Sequence, residues 1–229
     1  MHRFKRSLQK MTVLFYVLSR IFNTKKNAMI AVFVVHILAS SRITLAMRFE
    51  DDINYAVYQR ASDFTAPEEM LWVTKQSQRN ELVPKTLCQA MLKLRSTGGG
   101  SFLYAVYYAL PTARTEVKAF VTTLTTGRAA AQNGYRVHQN TVSYQTVQGG
   151  LFFRYKVLYA DPRHGCFILV AFGPSAGRAC RLLQTSSTVN QGIPEMCNKV
   201  YREHCAQDTK VIYYPICWSR LPHIVQWGN

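Results

Sequence analysis

Short runs of β-branched and aromatic residues fill the chain between about residues 70 and 187, and turn-forming residues separate them. Runs of this length bounded by Gly, Pro or Asn are typical of strands joined by hairpins. The pattern predicts eight strands, at residues 70–77, 86–94, 101–110, 115–124, 135–145, 151–160, 166–172 and 179–187. Eight antiparallel strands close most economically into a barrel, which leaves no sheet edge exposed and can hold one small ligand.

Helical patterns flank the predicted barrel. DDINYAVYQRASDF (51–64) spaces its apolar residues near a helical period after an acidic start, which predicts a short helix. PEMCNKVYREHC (194–205) predicts about three turns, with Pro194 in the first of them. KVIYYPIC (210–217) is then predicted to be extended.

The beginning of the chain predicts export. The apolar run AMIAVFVVHILA (28–39) follows two lysines and precedes small residues that end at Ala46, which is the pattern of a secretion signal. We therefore expect residues 1–46 to be a secretion signal and residues 47–229 to form a single secreted, extracellular domain. An uncleaved anchor is the alternative, although the run is short for a bilayer span.

Charge changes this interpretation little. The net charge is +16, and the first 46 residues carry eight Lys or Arg and no acid, so removing them leaves 28 − 8 = 20 basic against 12 acidic side chains, or +8. Arg-rich runs of the kind found in nucleic-acid binders are absent from the sequence. The balance favours weak attraction to anionic surfaces, and we expect neither a nucleic-acid partner nor membrane attachment after cleavage.

All the cysteines follow the predicted cleavage site, at Cys88, Cys166, Cys180, Cys197, Cys205 and Cys217. An even number in an exported chain predicts three disulfides, whose pairing the spacing alone leaves open. A zinc site is the alternative because His204 adjoins Cys205, but CxxC and HxxxH spacings are missing and we expect no metal.

Catalytic motifs are also missing. The sequence has no nucleophile elbow, no HExxH and no phosphate-binding glycine loop followed by Lys-Ser/Thr. We therefore predict no catalytic residue, no cofactor and no enzyme activity.

Several segments carry a family resemblance. They are YKVLYAD ahead of HGC (155–166), ACRLL (179–183), and above all IPEMCNKVYREHC (193–205) followed by YYPIC (213–217). With the eight strands and the secretion signal, the chain resembles the tick salivary lipocalins, the group that includes the histamine-binding proteins. The resemblance covers roughly residues 50 to 217.

The resemblance implies a fold and a disulfide pattern. The fold is all-β, an eight-stranded antiparallel lipocalin barrel with a short N-terminal helix and a C-terminal helix held by disulfides, and the protein is expected to be a monomer. The implied pairs are Cys88 with Cys217 and Cys166 with Cys197, which leaves Cys180 to pair with Cys205.

Barrels of this family resemble cups that capture host mediators, which are amines or lipids. In amine-binding members an Asp follows the seventh-strand cysteine and the next strand carries Glu-Leu, whereas this chain has Phe167 and then Arg181, Leu182 and Leu183. A cationic amine would lack the carboxylates that draw it out of water. An arginine in an apolar cup would instead pair with a carboxylate or phosphate.

Strand alternation supplies the rest of the predicted site. Arg154 and Lys156 share one face, which would turn Tyr155 and its alternate neighbours inward, and in the fourth strand the same argument turns Val117, Ala119 and Val121 inward. The predicted ligand-binding residues are Tyr155, Val157, Tyr159, Phe167, Leu169, Arg181 and Leu183. These side chains could instead be plain barrel core, and a register slip of one residue would turn Arg181 to solvent.

The expected function is sequestration of a small hydrophobic, anionic host mediator of the fatty-acid or eicosanoid type. One alternative is binding of a biogenic amine, histamine or serotonin. The other is a host plasma protein as partner, in a role that inhibits complement or haemostasis, for which the tail WSRLPHIVQWGN (218–229) offers aromatic side chains.

Overall fold

The computed structural model describes residues 47–78, 81–112, 116–173, 177–205 and 208–222. The predicted secretion signal and the last seven residues of the predicted tail, 223–229, lie outside these ranges. Within the described part, no helix has both the length and the apolar character needed to cross a membrane.

Nine strands form one antiparallel sheet. They are β1 (Leu71–Ser77), β2 (Leu87–Gly98), β3 (Ser101–Ala109), β4 (Val117–Gly127), β5 (Thr141–Gln145), β6 (Phe152–Asp161), β7 (Cys166–Gly173), β8 (Gly177–Thr185) and β9 (Thr209–Val211). Neighbours along the chain pair from β2 to β8, while β1 pairs with both β8 and β2 and so closes the ring. The predicted eight-stranded lipocalin barrel is confirmed, and β9 adds a short ninth strand beside β1.

The first predicted helix is broken into shorter turns, whereas the second is found as predicted. In place of one helix over 51–64, the chain forms 3₁₀ turns at Phe49–Asp51 and Ile53–Tyr58 and a short helix α1 (Ala61–Thr65), because the side chain of Asp52 accepts the backbone N–H of Asn54 and interrupts a continuous helix. Helix α2 (Glu195–His204) matches its prediction. The segment 210–217 is extended only through β9, and Pro215 then begins the one-turn helix α3 (Ile216–Ser219).

The two ends of the barrel differ. Helix α1 lies at the end that holds the β2–β3, β4–β5 and β6–β7 connections, with Ala61 and Phe64 fully buried against the barrel interior. Lys93 Nζ donates to the carbonyl of Thr65 at 2.8 Å and ties α1 to β2. The other end, which we call the mouth, holds the connections β1–β2, β3–β4, β5–β6 and β7–β8.

The barrel wall separates an interior apolar cluster from two outer ones. The interior cluster takes buried side chains from all eight strands of the barrel, among them Leu71, Met91, Val106, Leu124, Val142, Val157, Phe167 and Leu183. One outer cluster lies under α2, and the other packs the wall around Trp72 against the C-terminal segment that contains Tyr213.

Three disulfides fasten the C-terminal elements to the wall. Cys166 and Cys180 on β7 and β8 pair with Cys197 and Cys205, at the start of α2 and just after it. Cys88 on β2 pairs with Cys217 on α3, with their Cα atoms 5.2 Å apart. These are the pairings that the family resemblance implies. A helix outside a barrel has no strand partner, which explains why the cysteines crowd into this third of the chain.

The predicted inward orientation is wrong for two groups of residues. A β-bulge between Val157 and Tyr159 shifts the alternation of β6, so Tyr159 lies in the outer cluster under α2 and stacks on Tyr58 at 5.5 Å. In β4 the interior residues are Phe120 and Leu124, whereas Val117 and Ala119 pack in the outer cluster around Trp72 and Val121 is 53% exposed. The prediction took the charge of Lys118 as the mark of the outer face. Lys118 is exposed, but it alternates with the interior residue Phe120, because a side chain that points inward near the mouth still reaches solvent.

Candidate functional site

The predicted site residue Arg181 lies in the barrel wall with only 3% of its surface exposed. It sits on β8, opposite Leu169 on β7 and Gln76 on β1. Leu183, two residues further along β8, belongs to the interior cluster, and period-two alternation places Arg181 on the same inner face. The barrel therefore contains a buried guanidinium about midway along its eighth strand.

Neutral side chains surround this guanidinium. Arg181 Nη1 donates to the hydroxyl of Tyr144 at 2.6 Å, and Nη2 donates to Oε1 of Gln89. The guanidinium carbon lies 5.8 Å from the ring centroid of Tyr144 and 5.5 Å from that of Tyr155, within the range of cation–π attraction. We call Arg181, Gln89, Tyr144 and Tyr155 the interior polar cluster.

The interior polar cluster has no acidic member. Among the described residues no Asp or Glu forms an ion pair with Arg181, and the buried acids Glu50 and Asp51 pair with Arg178 and Lys156 instead. The Nε atom of Arg181 is buried without a hydrogen-bond partner in this part of the chain. A buried charge that lacks a counter-charge costs several kcal/mol, and an anion placed beside it would offset that cost.

The ionisation of the cluster follows from its burial. Burial raises the pKa of Tyr144 and of Tyr155, and the charge of Arg181 opposes the rise in both. Burial acts to lower the pKa of Arg181, but Tyr144 and Tyr155 outweigh it and the pKa is raised overall. The tyrosines are thus neutral donors and acceptors, and the arginine is the one charged member of the cluster.

The other predicted ligand-binding residues surround the polar cluster with apolar surface. Val157, Phe167, Leu169 and Leu183 are fully buried members of the interior cluster. Only Tyr159 among the predicted set lies on the outer side of the wall, for the reason given above. The buried guanidinium of Arg181 thus lies among apolar side chains, a combination that suits an amphiphile.

Sequence reasoning missed several polar residues of the interior. Tyr104 on β3 and Thr122 on β4 are direct cross-strand partners, and their hydroxyls are buried with no hydrogen-bond partner among the described residues. The alternation of SFLYAVYYAL could have identified Tyr104, because Val106 shares its face. The inward position of Gln89 could not be predicted from alternation, because the pairing of β2 with β3 is irregular between Leu87 and Ala90.

The buried tyrosines predict loss of stability at alkaline pH. Burial raises the pKa of Tyr104, Tyr144, Tyr155 and Tyr201, and raises that of Tyr159 to about 12 with help from Asp161. Because these pKa values lie above that of an unfolded tyrosine, the unfolded chain loses protons first. The contribution to stability is complete below pH 10 and falls as the pH rises further.

A spectroscopic titration measures this effect. We expect part of the phenolate absorbance to develop near pH 10 and the rest to appear only with the loss of the far-ultraviolet circular dichroism of the sheet. If every tyrosine ionises near pH 10 while the circular dichroism is unchanged, the buried hydroxyls are accessible and this prediction is wrong.

Comparison with known proteins gives a family match that covers most of the chain. A family model described as "Tick histamine binding protein" matches residues 49–219. Among solved structures the chain is similar to Japanin from Rhipicephalus appendiculatus bound to cholesterol, with 15% identity over 64% of this chain and 92% of that chain and a TM-score of 0.48. It is also similar to the major allergen Per a 4 from cockroaches, with 10% identity over 70% of this chain and 93% of that chain and a TM-score of 0.47. Among curated proteins, none matches the chain significantly.

Proposed function

The chain belongs to the tick histamine binding protein family, and from this premise we propose that it sequesters a small apolar molecule carrying one carboxylate, of the fatty-acid or eicosanoid type, inside its barrel. The proposed role is binding alone, without chemical conversion of the ligand. The proposed ligand-binding residues are Arg181 for the carboxylate, with Tyr155, Val157, Phe167, Leu169 and Leu183 along the apolar part.

One observation carries the choice of an anion, namely the buried guanidinium of Arg181, which has no acidic partner among the described residues. A guanidinium binds a carboxylate through parallel N–H donors, and such charge-assisted hydrogen bonds are strong in a site that excludes water. A protonated amine at the same place would meet a like charge and would find no described carboxylate to offset it. The geometry therefore supports an acid over histamine or serotonin.

Export is part of the proposal. Disulfides persist in oxidising compartments, so the three bridges support a secreted protein from which residues 1–46 have been removed. For the binding test, the full chain is expressed in eukaryotic cells and collected from the medium. N-terminal sequencing of that material then tests cleavage after Ala46.

Calorimetric titration with matched ligands tests the proposed function. We expect oleic acid to bind, and to bind more tightly than oleyl alcohol of the same chain length, with histamine not detected. Replacing Arg181 by Met keeps the side chain's length but removes its charge, and we expect oleate affinity to fall by about 10- to 100-fold. The exposed Arg163 gives a control, because Arg163→Met removes the same charge from a surface turn.

Each alternative has its own result. Equal affinity for acid and alcohol in the wild-type protein, or oleate binding that Arg181→Met leaves unchanged, would contradict the anionic site. Tight histamine binding would favour the alternative function, binding of a biogenic amine. If none of these ligands bind, a host protein becomes the better candidate, and plasma proteins can be tested by capture on the immobilised chain.

A further inference from the structure

The last part of the connection between β1 and β2 lies at the mouth of the barrel. We call residues 82–87 of this connection the mouth segment. Val83 is 5% exposed, and Leu82 and Leu87 pack against the interior cluster, so the mouth segment presents apolar side chains to the barrel interior.

Side-chain amides hold the mouth segment in place. Gln89 Nε2 donates to the carbonyl of Thr86 at 2.9 Å and lies 3.4 Å from that of Pro84. Gln76 Nε2 also donates to the Pro84 carbonyl, at 2.7 Å, and Gln76 Oε1 accepts from Gln89 at 3.2 Å. Both glutamines are almost completely buried, so water does not replace these hydrogen bonds while the segment is closed.

The same Gln89 amide binds Arg181. Its Oε1 accepts from Arg181 Nη2, and its Nε2 donates to the mouth segment. One planar amide therefore contacts both the guanidinium and the mouth segment. The backbone just before Gln89 is fixed independently. Cys88 has φ of +48°, is bridged to Cys217, and donates its N–H to the carbonyl of Ile212. Gln89 therefore projects from an anchored point.

We infer that Gln89 is a positioning residue that couples the guanidinium of Arg181 to the closed state of the mouth segment. The charge of Arg181 polarises the amide through Oε1 and makes Nε2 a stronger hydrogen-bond donor. The hydrogen bond to Arg181 and the hydrogen bond to the mouth segment therefore strengthen each other. Coupling between two sites is reciprocal, and a change at Arg181 therefore alters the opening of the mouth segment. The coupling between Arg181 and the mouth segment does not depend on the proposed function. A role of this opening in ligand capture does rest on the proposed function.

Hydrogen exchange in the ligand-free protein tests the coupling. In Gln89→Met, which keeps the side chain's length, we expect the peptide that covers residues 82–87 to exchange about tenfold faster than in wild type, because the buried Thr86 carbonyl loses its donor and the Pro84 carbonyl keeps only Gln76. Arg181→Met is expected to raise the rate by a smaller factor. The double variant should exchange no faster than Gln89→Met, since Arg181 acts on the segment through Gln89.

Gln184 supplies a matched control. It is equally buried and donates to the carbonyl of Gly192 at 2.7 Å, but in a loop at the opposite end of the barrel. Gln184→Met should leave exchange of residues 82–87 unchanged. The coupling is overturned if Gln89→Met has no local effect, if Gln184→Met has the same effect, or if the rates in the double variant multiply. Failure of wild-type protein to bind oleate would refute the proposed function and leave this result intact.

Discussion

Replacing both Cys88 and Cys217 by alanine is expected to lower the free energy of unfolding by about 5 kcal/mol, the largest loss that we predict for any change to this chain. The bridge closes a loop of 129 residues, and the entropy that a disulfide removes from the unfolded chain grows with the logarithm of loop length. The two other bridges lie within this loop and shorten it, but the logarithmic dependence makes their effect small.

The contacts near this bridge indicate which part of the chain would detach from the barrel wall without it. Trp72 is fully buried, with its ring 5.0 Å from that of Tyr213 and 5.5 Å from that of Trp218. The C-terminal segment that carries these rings is attached covalently to the wall only through Cys217 within the described chain. Without the bridge, we expect the segment to detach at lower denaturant concentration than the barrel unfolds.

Urea unfolding followed by tryptophan fluorescence measures both effects. The matched control replaces Cys180 and Cys205, which close a loop of only 25 residues, and we expect a smaller loss of about 3.5 kcal/mol. Equal losses in the two double variants would show that loop closure does not set the contribution of these bridges.

The sequence predicted the barrel well because its strands carry the signal themselves. Tight turns separate the apolar runs, and each strand pairs with its neighbour along the chain, so local information specifies most of the topology. The prediction failed where the N-terminal segment competes for backbone groups. Strand β5 begins at Thr141 and not at residue 135, because Arg136 donates to the carbonyl of Glu50 and the carbonyl of Gln139 accepts from the N–H of Ala61.

The site was predicted only in part, for a related reason. Arg181 was singled out because the family resemblance pointed to its position, and the sequence left its orientation open to a register slip. Its partners Tyr144 and Gln89 are 37 and 92 residues away, and the curvature of the barrel brings them together. Tyr159 was misplaced because a single bulge residue reverses the alternation, and nothing in YKVLYAD marks the bulge.

Replacing Phe64 by alanine is expected to lower the free energy of unfolding by about 3 to 5 kcal/mol. Phe64 is fully buried at the base of the interior cluster, and its ring meets that of Phe167 edge to face at 5.7 Å. Helix α1 is only five residues long, too short to be stable alone, so its closure of the barrel depends on this side chain and on the bond from Lys93 to Thr65.

Thermal and urea unfolding of Phe64→Ala measure this loss, with Phe152→Ala as the control. Phe152 lies on β6 and is 62% exposed, so its removal should change stability by no more than about 0.5 kcal/mol. Because Phe64 and Arg181 lie at different depths of the barrel, the oleate binding that we propose at Arg181 should survive in the folded fraction of Phe64→Ala. A loss below about 1 kcal/mol would mean that the surrounding side chains collapse into the space, and that α1 is not what closes this end of the barrel.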